Sequence, residues 1–170
     1  MITESTHSIT PPKLGEFWTE QGGVYAGVMR GENNAPNYHL IVPTDTSASI
    51  KHVQWADNNA MQTGAHSFTD GLANTQFLQA SSINHPAAQW ASELTIDGFN
   101  DFYLPAKNEI LLAYITVPEL FEKSGWYWTS TQHASNSAFA WVQVFDGGYQ
   151  YDDRKSNGAR ARAVRRVAIA

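Results

Sequence analysis

Apolar and polar positions alternate with a period of two at both ends of the chain. Val24, Ala26 and Val28 interleave with Tyr25, Gly27 and Met29, and successive strand side chains face opposite ways. The run "GGVYAGVMRG", then "ENNAPN", then "YHLIVP" predicts strand, turn, strand, with Asn and Pro supplying the turn. Toward the other end, "WYWTSTQ", "AFAWVQVF", "YQY" and "ARARAVRRVAI" are four strand-like runs, and Asp146-Gly147-Gly148 is a hairpin connection. In the first of these, Trp126 and Trp128 point one way and Tyr127 the other.

Between the two β regions the pattern turns helical. Asp70 can cap "GLANTQFLQA", with Leu72, Phe77 and Leu78 as its apolar face. Pro86 suits the first turn of a second helix running to Leu94, where Trp90 and Leu94 share a face. Pro105 opens a third, "AKNEILLAYI", with Ile110, Leu111 and Tyr114 as the stripe and Glu109 in the first turns. Pro118 ends it. Residues 44–69 show no clean period and read as a long polar loop anchored by Trp55. Residues 1–14, polar and carrying Pro11-Pro12, read as a tail, and residues 15–170 as a single domain. The expected fold class is α+β: an N-terminal strand pair, about three helices and a C-terminal antiparallel β-meander.

Composition narrows the chemistry. With 170 residues the chain can bury a full core, and with no cysteine it has no disulfide, thiol nucleophile or thiolate metal site. Only 16% of residues are charged, against about 25% in ordinary domains. The net charge of −5 is uneven. Arg154, Lys155, Arg160, Arg162, Arg165 and Arg166 crowd the last seventeen positions, while the first 153 residues carry a net of −11. An acidic body argues against nucleic acid as a partner, and the basic end is expected to pair with that body. No basic-then-apolar leader and no 18-residue apolar run is present, so the expectation is a soluble chain without a signal peptide or membrane insertion.

"DGFNDFYLPAKNEI" (residues 97–110) resembles the "dG-x-x-DWRLPT-x-x-EL" signature of the Lcl C-terminal-type domain family. "WYWTSTQ" is similar to that family's "YWSST" strand, "AWVQVFDGG" to its "A-W-x-V-x-F-x-x-G" strand and turn, and "RARAVRR" to its closing "V-R-x-V-R" strand. The opening "GGVYAG" and "YHLIVP" resemble the prophage-encoded branch. The likeness spans roughly residues 15–168, with Phe102-Tyr103 standing where the family shows Trp-Arg and Ala106 where it shows Thr. The resemblance implies a C-type-lectin-like fold, related to the formylglycine-generating enzymes and to the variable ligand-binding proteins of diversity-generating retroelements. It also implies a phage or prophage origin, in a virion or in the cytoplasm of a lysogen.

The residues that could carry chemistry also have plain structural roles. Formylglycine-type catalysis needs cysteine, which is absent. The histidines, His7, His39, His52, His66, His85 and His133, show no short ligand spacing. Asp97, Asp101 and Glu109 could supply oxygen ligands to calcium, but the sugar-binding Glu-Pro-Asn and Trp-Asn-Asp motifs are missing. Turn, loop and helix-start roles suit the three carboxylates better, and no cofactor is expected. Trp128 is assigned to the core, and Trp126 and Tyr127 after it. Alternation breaks at Val164 and Arg165, which places Arg165 among small residues and calls for an acidic partner.

The remaining polar and aromatic residues suit a contact surface. Gln132, His133, Ser135 and Asn136 are expected in an exposed loop, followed by Trp141, Gln143, Tyr149, Tyr151 and Asp152 on the meander. The expected function is a non-catalytic module that recognises a cell-surface protein or glycan through this C-terminal β face. The alternatives are a metal-dependent enzyme assembled from His39, His66 or His85 with Asp101, and a structural protein whose aromatic face, Trp141 included, is an oligomer interface.

Overall fold

Each sheet draws strands from distant parts of the sequence. The computed structural model describes residues 9–169, so His7 and the first eight positions of the expected tail lie outside the described residues. The elements run β1 (Phe17–Trp18), β2 (Gly23–Met29), β3 (Tyr38–Val42), β4 (Ser49–Gln54), α1 (Gly71–Ala80), α2 (Pro86–Ser92), α3 (Lys107–Thr116), β5 (Trp126–Gln132), β6 (Phe139–Val144), β7 (Gln150–Arg154), β8 (Gly158–Arg162) and β9 (Arg165–Ala168). One sheet has the order β1-β2-β3-β9, the other β4-β8-β5-β6-β7. The class is α+β, as expected, with antiparallel pairings throughout except the parallel contact of β5 with β8.

Three expectations are corrected. The stretch 44–69 contains β4, paired with β8, and a bulge between Ile50 and Val53 explains its missing period. The run "ARARAVRRVAI" is two strands in different sheets. It divides at Ala163-Val164, where the isolated bridge from Val164 to Tyr103 carries the chain across. On α1 the buried side is Gly71, Asn74, Thr75 and Leu78, whereas Phe77 is exposed. Asp70 does cap α1, its carboxylate accepting from Ala73 N–H at 3.0 Å. Pro86 does open α2.

β5 divides the core. Trp128 and Val142 face Trp55, Leu78, Phe102 and a floor of alanines beneath α1 and α2. Tyr127, one residue earlier, faces Ile110, Val117, Phe121, Phe145 and the four-stranded sheet. The two aromatic neighbours thus sit in different cores, as strand alternation requires. Trp128 is fully buried and its indole N–H donates to Val53 C=O at 2.8 Å, which satisfies the one polar atom it carries. Among the described residues no helix is long and apolar enough to cross a membrane.

Candidate functional site

Of the residues expected to be structural, Asp101, Arg165 and Glu109 form closed hydrogen-bond sets. Asp97 takes positive φ in the turn bridging Ile96 and Phe99. Asp101 holds Arg165 with two bonds, 2.7 Å from Nε and 2.8 Å from Nη2, while Nη1 donates to Gln21 C=O and Oε1. The same guanidinium lies 3.9 Å over the Phe99 ring. Arg166 extends the pattern with Asp70 at 3.0 Å. The expected pairing of the basic end with the acidic body therefore holds at Arg165 and Arg166.

Glu109 is wholly buried and joins four parts of the chain. One carboxylate oxygen faces the hydroxyls of Tyr38 (2.6 Å) and Tyr103 (2.7 Å), the other the amides of Gly71 (3.1 Å) and Ala106 (2.7 Å). Burial raises its pKa to about 7, although these donors and Arg166 oppose the rise. The hydrogen count agrees. Tyr38 Oη is also 2.7 Å from Thr69 C=O, and its single proton serves both acceptors only if Glu109 carries a proton of its own.

The carboxylates Asp97, Asp101 and Glu109 do not converge, and among the described residues no group of three or more His, Asp or Glu could hold a metal ion. His39 is occupied by Tyr25 OH at 3.1 Å and by the edges of Trp18 and Tyr25. His85 Nδ1 lies 3.2 Å from Trp55 C=O, with its ring edge-on to Trp55. Burial lowers the pKa of both.

The expected contact surface is split by register. Trp141 pairs with Asp152 and Gln143 with Gln150, whereas Val142 pairs with Tyr151. Directly paired residues share a face. Trp141 and Asp152 therefore lie on one side of the sheet and Tyr151 on the other, with Tyr149 beside it. Gln143 is buried, contrary to its expected exposure. Its amide donates to the adjacent Val144 C=O at 2.8 Å and, across the turn of the β6–β7 hairpin, to Tyr149 C=O at 3.4 Å. Gln132 is buried for a similar reason: its amide reaches the carbonyls of His133, Asn136 and Phe139 and ties down the β5–β6 loop.

On the Trp141 side the rings are already engaged. Lys107 Nζ sits 3.3 Å from the Trp141 ring centroid, the His133 ring stacks on it at 5.5 Å, and Phe68 meets it edge-on at 6.5 Å. His133 Nδ1 accepts from the Ser135 and Asn136 amides at 3.3 and 3.0 Å, which fixes the neutral tautomer protonated at Nε2. Asn136 itself is exposed at the loop tip.

The other side is core at Val142 and Trp128, with Trp126 and Tyr151 half-buried against it, and it opens only toward the β6–β7 turn. Tyr149 is 59% exposed and stacks on Tyr151 at 5.9 Å, and Tyr151 leans on Trp126 at 6.3 Å. Three rings thus form a ridge that runs across the sheet from β5 to the β7 edge. No family model matches this chain, and no curated protein matches it. What the ridge offers is aromatic surface and the Tyr149 and Tyr151 hydroxyls; the Trp126 indole N–H is buried and has no partner. The sequence assigns Trp126 to the core, and the structure has it half-buried against the Trp128 cluster. Its place in the ridge follows from its pairing with Val144, which sets it on the Tyr151 side. Lys107 and Phe68 were also missed, since nothing in their spacing links either to Trp141.

Proposed function

We propose that this chain is a non-catalytic ligand-display module, with a C-type-lectin-like arrangement and a prophage origin on the resemblance of its motifs. It recognises a surface glycan or receptor through the Trp126–Tyr151–Tyr149 ridge. The exposed stack of Tyr149 on Tyr151 carries this reading. Flat rings beside hydroxyl donors suit the apolar face and hydroxyl edge of a sugar, or the side chains of a protein loop, at low entropy cost. The buried amides of Gln132 and Gln143 support it by stiffening the turns at both ends of β6, so the ridge stands on a fixed platform. His133, Asn136, Trp141 and Asp152 belong to the opposite side and contribute rigidity and rim contacts.

A glycan array followed by titration of the best-bound sugar tests the reading. Tyr149→Ala combined with Tyr151→Ala weakens binding at least tenfold and leaves a single cooperative unfolding transition. Unaltered binding by the double variant moves the contact surface elsewhere, and loss of cooperative unfolding makes the rings part of the core.

A further inference from the structure

Arg162 is a buried cation without an acidic partner. It is 8% exposed and donates through Nη2 to Pro43 C=O at 2.5 Å, while its buried Nε has no partner. The ion pairs found among the described residues are Arg165 with Asp101 and Arg166 with Asp70. Desolvation works against the charged form of Arg162 and lowers its pKa, with only the Tyr127 phenol opposing. A guanidinium nevertheless stays protonated, so its charge calls for a counter-ion.

The surroundings supply room and further donors. Arg162 lines a groove of about 400 Å³ between β4, β8 and the segment after α3, together with Lys51, Arg160, Thr46 and Ser49. Arg160 donates through Nε to Ser124 C=O at 3.0 Å and has no carboxylate within pairing distance. The Tyr127 hydroxyl accepts from Glu122 N–H at 2.9 Å, which leaves its own proton free to donate. Phe121 lies 5.4 Å from the guanidinium and closes one wall. Glu119 and Glu122 stand exposed at the same groove but reach none of its cations.

The geometry points to an oxyanion-binding site in this groove, one that seats a carboxylate, sulfate or phosphate group of a polar ligand against Arg162 and Arg160, with Lys51 at the mouth. The groove exceeds the volume of a single ion, so the oxyanion is one end of a larger molecule. The groove adjoins the aromatic ridge, since Lys51 and Arg160 also line the hollow beside Trp126, but its anion chemistry does not rest on the ridge, and Tyr149→Ala with Tyr151→Ala should leave anion binding unchanged.

Acetate, sulfate and inorganic phosphate, each titrated into the labelled protein against sodium chloride at equal ionic strength, read the site by amide chemical shifts. Saturable shifts confined to residues 44–51, 119–127 and 158–162 are expected, and the strongest of the three anions identifies the class. Arg160→Gln, at a half-exposed position that should fold normally, weakens that anion about tenfold, in line with the strength of charge-assisted bonds. Lys51→Gln weakens it about threefold. Shifts no different from those with chloride overturn the proposal, as does undiminished binding by Arg160→Gln.

Discussion

Arg162 and Arg165 lie three positions apart, are both buried, and are treated in opposite ways. Arg165 has every guanidinium nitrogen matched, by Asp101, by Gln21 and by the Phe99 face. Arg162 has one carbonyl, an orphan Nε and a groove. The first arrangement is a fastening: it ties β9 to the turn before β2 and to the loop after α2. The second leaves electrostatic attraction unspent. A closed set stabilises a fold, while an open one costs stability that a ligand can return.

The predictions separate these roles. The largest effect is expected at Glu109, the most completely closed set. Glu109→Ala strands two hydroxyls and two amides in the core, and urea unfolding should show a loss of roughly 3–5 kcal/mol. Asp101→Asn removes the charge and one of the two oxygens that face Arg165. Because the Asp101 side chain is 48% exposed, the loss is smaller, about 1–2 kcal/mol.

The pH dependence sharpens the contrast further. Tyr38 and Tyr103, the Gly71 and Ala106 amides, and Arg166 from β9 all face Glu109, whose pKa rises from 4.5 to about 7. The folded state therefore holds the proton where the unfolded chain has lost it. The stabilisation is complete below pH 4.5 and is lost as pH rises through about 7. Lys155 works with the reverse sign. It is buried against Trp55, its Nζ donates to Ala60 C=O at 2.9 Å, and burial lowers its pKa from 10.5 to about 8. Stability is regained as pH climbs from about 8 toward 10.5, where only the unfolded chain keeps the proton. Glu109→Gln should flatten the first slope and Lys155→Met the second, each followed by urea midpoints across pH.

The smallest effect on stability is expected at Arg162. Arg162→Met preserves the volume and removes an uncompensated charge, so stability should change by less than about 1 kcal/mol, in either direction.

Much of the fold could be read from residue patterns. Alternation placed β2, β3, β5 and β6 and put Trp126 and Trp128 on one side with Tyr127 on the other. Proline and aspartate punctuation placed the helices. The break at Val164 and Arg165 signalled a buried, paired arginine, and it marks where the chain leaves one sheet for the other. The β4 strand was hidden because its bulge shifts parity partway along. The division of the expected contact surface between two sides of the sheet was hidden for a related reason. Whether Trp141 and Tyr149 share a face depends on how many residues the hairpin spends turning. With Val144 N–H donating to Tyr149 C=O, the count sets them on opposite sides. The exposure of Gln143 failed because a glutamine tying down its own turn has the same composition as one facing solvent. The groove at Arg162 was illegible because its walls come from residues 44–51, 119–127 and 160–162, and only the tertiary fold brings them together.

The central claim is that Arg162 carries an unmet charge that a ligand completes. Urea midpoints of the wild type and Arg162→Met, each in sodium phosphate and in sodium chloride of equal ionic strength, test it most directly, with sulfate and acetate run alongside. An anion that binds only the folded state raises stability with its concentration. The wild type should gain more from at least one of the oxyanions than the variant does. Equal gains in both proteins with every anion would contradict the account.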